Sequence, residues 1–220
     1  MDEMHFAFGV DEEFAPYAGI LMTSIVLQHP GEPVTFHLAA TSLKPADQAR
    51  FDTFTRLYRN TRIFIYDAAP LLRALPAEGA GNVPHRLSPA MFLRFFLPEL
   101  LPAEVQRVIY LDADMLCVGR LDGLWQTPLG DAVLAASYYE AAEARRHCQR
   151  LRLKGGRYFN SGCLLIPLRA WREQALTQRV LALYRERRQD FLLPDQDTLN
   201  VLLAAPGAVH ELPRGCNHMC

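Results

Sequence analysis

Asp112-Ala113-Asp114 is the tripeptide with the clearest chemical use in this chain. It directly follows Val108-Ile109-Tyr110-Leu111, an apolar run of strand formers that reads as a buried strand. Two carboxylates one residue apart can converge on one divalent ion where the chain turns at a strand end. Oxygen ligands suit Mg²⁺ or Mn²⁺, and either ion can bridge to a diphosphate. A solvated polar turn would carry the same residues, so the tripeptide alone leaves both readings open. A phosphatase-type DxD, in which an aspartate is the nucleophile, normally follows the first strand. Here the pair is mid-chain and runs on into Met115-Leu116-Cys117, which argues against that chemistry.

Arg94 stands between Met91-Phe92-Leu93 and Phe95-Phe96-Leu97. A guanidinium in so apolar a helix needs an anionic partner, because burying it unpaired is expensive. That partner is either a protein carboxylate or a ligand phosphate or sugar hydroxyl. Asn160-Ser161-Gly162 precedes the apolar run Cys163-Leu164-Leu165-Ile166, and a glycine at a strand start lets a ligand approach backbone closely. Pro194-Asp195-Gln196-Asp197 opens a helix. Acids in a first turn are usually caps, whereas Gln196 has no capping explanation.

The elements around these residues alternate. His5–Val10, Val34–Ala40 and Arg62–Tyr66 read as strands, with helices over Tyr17–Leu27 and Pro45–Tyr58 between them. Strand-helix alternation implies a mostly parallel sheet with helices on both faces, whose ligands bind beyond the carboxyl ends of the strands. Asp11, at the end of the first strand, should face that crevice. Ala69–Leu87 reads as a surface loop, and Ser88-Pro89 as the cap and first turn of the Arg94 helix. With no repeat, linker or low-complexity tract, residues 1–220 read as a single domain.

Composition narrows the partners. A net charge of -1 gives no global attraction to nucleic acid or an anionic membrane. A local basic stretch (Arg145, Arg146, Arg150, Arg152, Lys154, Arg157) reads as a solvated helix face or as a patch for a phosphorylated acceptor or membrane surface. Five cysteines, an odd number without a CxxC pair, argue against a disulfide framework and for a reducing compartment. Cys216, His218 and Cys220 cluster, but no fourth zinc ligand has recognisable spacing. No leader pattern or membrane-spanning run is visible, so the expected location is cytoplasmic.

Four blocks, in this order, cover nearly the whole chain: Phe6-Ala7-Phe8-Gly9-Val10-Asp11; Phe92-Leu93-Arg94-Phe95; Val108 through Asp114; and Tyr158-Phe159-Asn160-Ser161-Gly162 with Asp195-Gln196-Asp197. Together they resemble glycosyltransferase family 8, most closely its bacterial lipopolysaccharide galactosyl- and glucosyltransferases. The resemblance implies a GT-A-like α/β fold, a UDP-glucose or UDP-galactose donor, Mn²⁺ or Mg²⁺, and retention of anomeric configuration. It implies a glycan or glycolipid acceptor, with peripheral contact at the inner membrane. It puts Asp112 and Asp114 on the metal, Asp11 at the uracil and Arg94 at the donor sugar and phosphates. Phe8, Ala113, Asn160, Ser161 and Asp195 join the donor-binding set, and Gln196 lies closest to the reacting carbon, with Asp195 and Arg94 beside it. Phe14 stands where the family often has a tyrosine stacking on uracil. The family's C-terminal HxxGxxKPW-like motif, source of a third metal ligand, is not seen before Cys220. Either the chain is a piece of a longer protein or its metal site has only two protein ligands. That departure leaves a rival, a sugar-nucleotide binding module without turnover. A nucleotidyltransferase would want a Gly-rich loop after the first strand, and Phe8-Gly9-Val10-Asp11 has one glycine.

Overall fold

The computed structural model describes residues 3–75 and 88–218. The first part of the chain runs β1 (Met4–Val10), α1 (Ala15–Gln28), β2 (Val34–Ala40), α2 (Pro45–Leu57), β3 (Thr61–Asp67) and the short α3 (Ala69–Leu72). A 3-10 helix (Pro89–Phe96) leads into the short α4 (Leu97–Leu100), β4 (Arg107–Leu111), the short α5 (Asp122–Trp125) and β5 (Leu134–Tyr138). The remainder is α6 (Ala141–Leu151), β6 (Phe159–Pro167), α7 (Leu168–Glu173), α8 (Leu176–Arg187), α9 (Pro194–Leu202) and β7 (Val209–Glu211).

The strands form one sheet in the order β3-β2-β1-β4-β6-β5-β7. The pairs β1–β2, β2–β3, β1–β4 and β5–β7 are parallel, while β6 runs antiparallel to both β4 and β5. Only β6 is therefore reversed, and the sheet is mostly parallel as the alternation implied. Side chains alternate across it. Phe6, Phe8 and Val10 face α1 and α2, where Leu21, Met22, Ile25 and Phe51 complete one core. Ala7 and Tyr110 face the opposite core, built with Phe92, Phe95, Trp171 and Tyr184. Helices cover both faces, which is why β2 is buried at every position.

Several local expectations change. The Arg94 helix is of the 3-10 type, begun by Pro89 and capped, as expected, by the Ser88 hydroxyl, which accepts the Ala90 N–H at 3.0 Å. Its period of three sorts its residues into three rows. Phe92 and Phe95 pack together in the core, Met91 and Arg94 face a cavity, and Ala90 and Leu93 lie on β1. That last approach is so close that a Cβ on Gly9 would be 2.6 Å from the Ala90 carbonyl oxygen. Asn160-Ser161-Gly162 lies inside β6 rather than ahead of it. Within the expected loop Ala69–Leu87, Ala69–Leu72 is a helical turn, and residues 76–87 lie outside the described residues.

Among the described residues no helix is long and apolar enough to cross a membrane. Cys117, Cys148, Cys163 and Cys216 are free thiols, as their spacing suggested. Cys220, from the terminal Cys/His cluster, lies outside the described residues. The basic stretch forms α6 and the turn after it. Ala144, Cys148 and Leu151 are buried, while Arg145, Arg146, Arg152 and Lys154 face solvent.

Candidate functional site

Reversal of β6 assembles the site. Because β6 runs against its neighbours, its first residues lie at the same sheet edge as the last residues of β1, β4 and β5. Asp112 follows β4 there, and its backbone N–H donates to the Gly162 carbonyl at 2.8 Å. The amino end of α9 brings Asp195 and Gln196 to the same place. A cavity of about 310 Å³ results, lined by Phe14, Arg94, Asp112, Ala113, Asp114, Asn160, Ser161, Asp195 and Gln196 among others. Nine residues singled out from sequence are thus brought together.

Arg94 is 4% exposed and finds its anions in the protein. Its Nη2 donates to Asp112 Oδ1 at 2.7 Å, and Nη1 lies 3.0 Å from Asp195 Oδ2. Nη1 also donates to the Ser161 carbonyl at 2.7 Å, and Nε to the Met91 carbonyl at 2.9 Å. Its guanidinium carbon lies 4.6 Å from the centre of the Tyr110 ring, whose hydroxyl donates to the same Asp112 Oδ1 at 2.7 Å. Burial works to lower the pKa of Arg94, but Asp112, Asp195 and Tyr110 outweigh it and the net shift is upward. Burial raises Tyr110 well above an ordinary phenol.

With Oδ1 of Asp112 held twice, Oδ2 is left toward Gly162, where a Cβ would approach it to 2.9 Å. Only glycine leaves that carboxylate its place. Asp114 is at the exposed rim, and partial desolvation together with the negative charge of Asp112 raises its pKa. Burial likewise raises Asp195, against the pull of Arg94. Three carboxylates stand around one guanidinium, which pairs with two of them, Asp112 and Asp195, and that surplus of hard oxygen charge fits a divalent ion at a diphosphate. The described residues hold one group of three closely spaced ligand-type side chains, His29, Glu32 and Asp122. Both of its acids are bound by Arg120, at 2.6 and 2.8 Å.

Gln196 and Asn160 are each fixed by a backbone donor. Gln196 Oε1 accepts the Ser161 N–H at 2.9 Å, and Asn160 Oδ1 accepts the Gly162 N–H at 2.7 Å. Asp197 proves structural: buried, it accepts the N–H groups of Leu192 and Leu193 and pairs with Arg150 at 2.7 Å.

Two placements need correction. Phe8 does not line the cavity, since alternation turns its fully buried ring into the α1 side of the core, 5.9 Å from Phe36. Asp11 builds the lip rather than the wall. Its Oδ1 accepts the N–H groups of Glu13 and Phe14 at 2.9 and 3.0 Å, and Oδ2 accepts the Ser88 hydroxyl. Tyr110, Tyr139 and Asn217 escaped sequence reasoning. Tyrosine in an apolar strand reads as core, and Asn217 reaches Asn160 Oδ1, at 2.7 Å, only through the fold.

The model of the glycosyl transferase family 8 matches residues 5–219. The chain belongs to this family. The lipopolysaccharide glucosyltransferase WaaO of Escherichia coli K12 is 32% identical to this family 8 chain over 208 residues, covering 91% of it and 59% of the relative. A lipopolysaccharide 1,2-glucosyltransferase of the same strain is 31% identical, covering 97% of this chain and 62% of the relative. The chain therefore spans about three-fifths of the length of these relatives. Among solved structures, the galactosyltransferase LgtC in complex with donor and acceptor sugar analogs superposes with a TM-score of 0.80 at 27% identity, over 96% of this chain and 74% of that one. The GT-A-like fold expected from sequence is the fold of this family 8 chain.

Proposed function

We propose that the chain transfers a hexose, glucose or galactose, from a UDP-sugar to a glycan hydroxyl, with retention of configuration. The supporting observation is the carboxylate surplus around Arg94, at the end of the sheet where the resemblance expects a metal-bound diphosphate. Names of the relatives favour a lipopolysaccharide core as the acceptor.

In this reading Asp112 and Asp114 hold Mn²⁺ or Mg²⁺. The ion, when bound, supplies Lewis-acid stabilisation of the charge on the departing diphosphate. Arg94 keeps one oxygen of Asp112 occupied, so that the other is available, and adds its own positive charge nearby. Phe14 offers a ring face to the base, and the Ala113 backbone carries the two ligands. Asn160, Ser161 and Asp195 surround the sugar. Gln196 adjoins the reacting carbon, and the Ser161 N–H bonded to its Oε1 further weakens an amide oxygen that is already a poor nucleophile. The acceptor hydroxyl then attacks from the face that UDP leaves. The new oxygen–C1 bond forms as C1–phosphate oxygen breaks, and the acceptor proton passes to the departing phosphate.

Exposed Arg145 and Arg146 on α6, with Arg152 and Lys154 in the turn after it, offer a basic surface for peripheral contact with anionic lipid on the cytoplasmic side. Unchanged sedimentation with anionic vesicles after charge reversal there would remove that part of the reading.

The decisive assay measures hexose transfer from UDP-glucose and UDP-galactose to lipopolysaccharide core. Asp112→Ala and Asp114→Ala should each reduce the rate by about 100-fold or more, since electrostatic stabilisation is usually the largest catalytic contribution. Unchanged rates would refute the proposal.

A further inference from the structure

We propose that Tyr139 is a specificity-determining residue that donates a hydrogen bond from its hydroxyl to the hexosyl unit of the bound sugar nucleotide. The inference rests on the donor site described above and adds a residue to it. Tyr139 follows β5 and lines the cavity. Its oxygen accepts from Asn160 Nδ2 at 3.0 Å and from Gln196 Nε2 at 3.4 Å. The direction of both bonds is fixed. Each amide oxygen already accepts a backbone N–H, from Gly162 and from Ser161, so each amide nitrogen must face the phenol. A phenol oxygen has two lone pairs and one proton. With both lone pairs engaged, the proton is directed to a third group, and among the described residues it meets no acceptor.

Tyr158 provides the contrast. It too accepts from Gln196, at 3.1 Å, but its proton goes to Asp197 in the buried interior. One tyrosine is thus satisfied within the protein, and the other is aimed at what enters the cavity. A part-buried network that fixes the direction of a donor toward the cavity makes the donor available without reorganisation.

The sheet indicates which part of the donor it meets. Along the carboxyl edge the order is β1, β4, β6, β5. Phe14 follows β1, the Asp112-Asp114 pair follows β4, Asn160 is the second residue of β6, and Tyr139 follows β5. Adjacent strands are about 4.8 Å apart, so the Tyr139 backbone stands two strand spacings, about 10 Å, from that of Asp112, on the side away from Phe14, and its hydroxyl reaches back to Asn160. A nucleotide with its base at Phe14 and its diphosphate at Asp112 extends its hexose toward Tyr139.

The test is titration of the chain and of Tyr139→Phe, in Mn²⁺, with UDP and with UDP-glucose and UDP-galactose. Losing one neutral hydrogen bond should weaken binding of at least one UDP-hexose by about three- to tenfold, with UDP affinity kept within about twofold. Equal weakening of UDP and both UDP-hexoses would overturn the assignment to the sugar, and so would no change for any of them. Failure of the parent chain to bind UDP at all would instead overturn the donor-site reading, and this inference with it.

Discussion

The two ends of the sheet make a useful contrast. At the amino end lies a cavity of about 670 Å³ lined by Glu3, His5, Glu32, Arg107, Asp122 and Trp125 among others; at the carboxyl end lies one of about 310 Å³. The larger is also acidic, but Glu3 pairs with Arg62, and Glu32 and Asp122 share Arg120. Those arginines are about half exposed or more, so water already screens the pairs. At the carboxyl end one buried arginine pairs with Asp112 and Asp195, and among the described residues Asp114 has no ion pair of its own. Charge imbalance in a partly desolvated place, rather than volume, distinguishes the end proposed to react.

The strongest way to break this contrast is Arg94→Ala. It leaves Asp112 and Asp195 without their cation, and unpairing a buried ion pair costs about 3–5 kcal/mol. Urea unfolding should show that loss. A variant as stable as the parent would mean that Arg94 does not hold the site together.

At the amino end the corresponding sensitivity is to protons. His37 is buried, its Nε2 3.0 Å from His5 and its Nδ1 2.9 Å from the Tyr66 hydroxyl. Burial, and then the charge of His5, lower its pKa from 6.5 to about 4, with Glu3 pulling weakly the other way. The folded state therefore resists protonation. Stability should be full above pH 6.5, fall as pH drops from 6.5 toward 4, and lose at most about 3 kcal/mol from this group. Urea unfolding of His37→Phe across that window should be flatter; the same slope as the parent would contradict the assignment.

Gly9→Ala probes how tightly the Arg94 helix is held on β1. Its Cβ would press on the backbone carbonyl of Ala90 at 2.6 Å, and such overpacking costs about 1–3 kcal/mol. A thermal melt as high as the parent's would show that the helix can retreat. The smallest effect is expected of Arg120→Ala, which should leave Mn²⁺-dependent UDP binding unchanged by calorimetry. A large loss there would erase the distinction between the two ends.

How much of this was legible depended on whether the signal was local. Val34–Ala40 is legible to the residue, and β1 and β4 to within a residue at each end, because buried strands are continuous apolar runs. The half-exposed edge strand β3 shows equally well through its β-branched and aromatic residues. The reversal of β6 left no local trace, yet it is what carries Asn160-Ser161-Gly162 to Asp112. Arg94 was recognised because a guanidinium among phenylalanines demands a partner. Which partner it has, two carboxylates from segments 18 and 101 residues away, follows only from the fold. Asp11, a strand-end acid expected to face a crevice, has one carboxylate oxygen taken up by the turn between β1 and α1. Tyr139 carried no signal at all, since its significance lies in the two amides that fold onto it.

The central claim, that the carboxyl-end acids hold a metal for a nucleoside diphosphate, is tested most directly by calorimetric titration of UDP with and without Mn²⁺. The chain should bind UDP only when Mn²⁺ is present, and Asp114→Ala should lose that binding. Equal UDP affinity without the metal, or in the variant, would contradict the account.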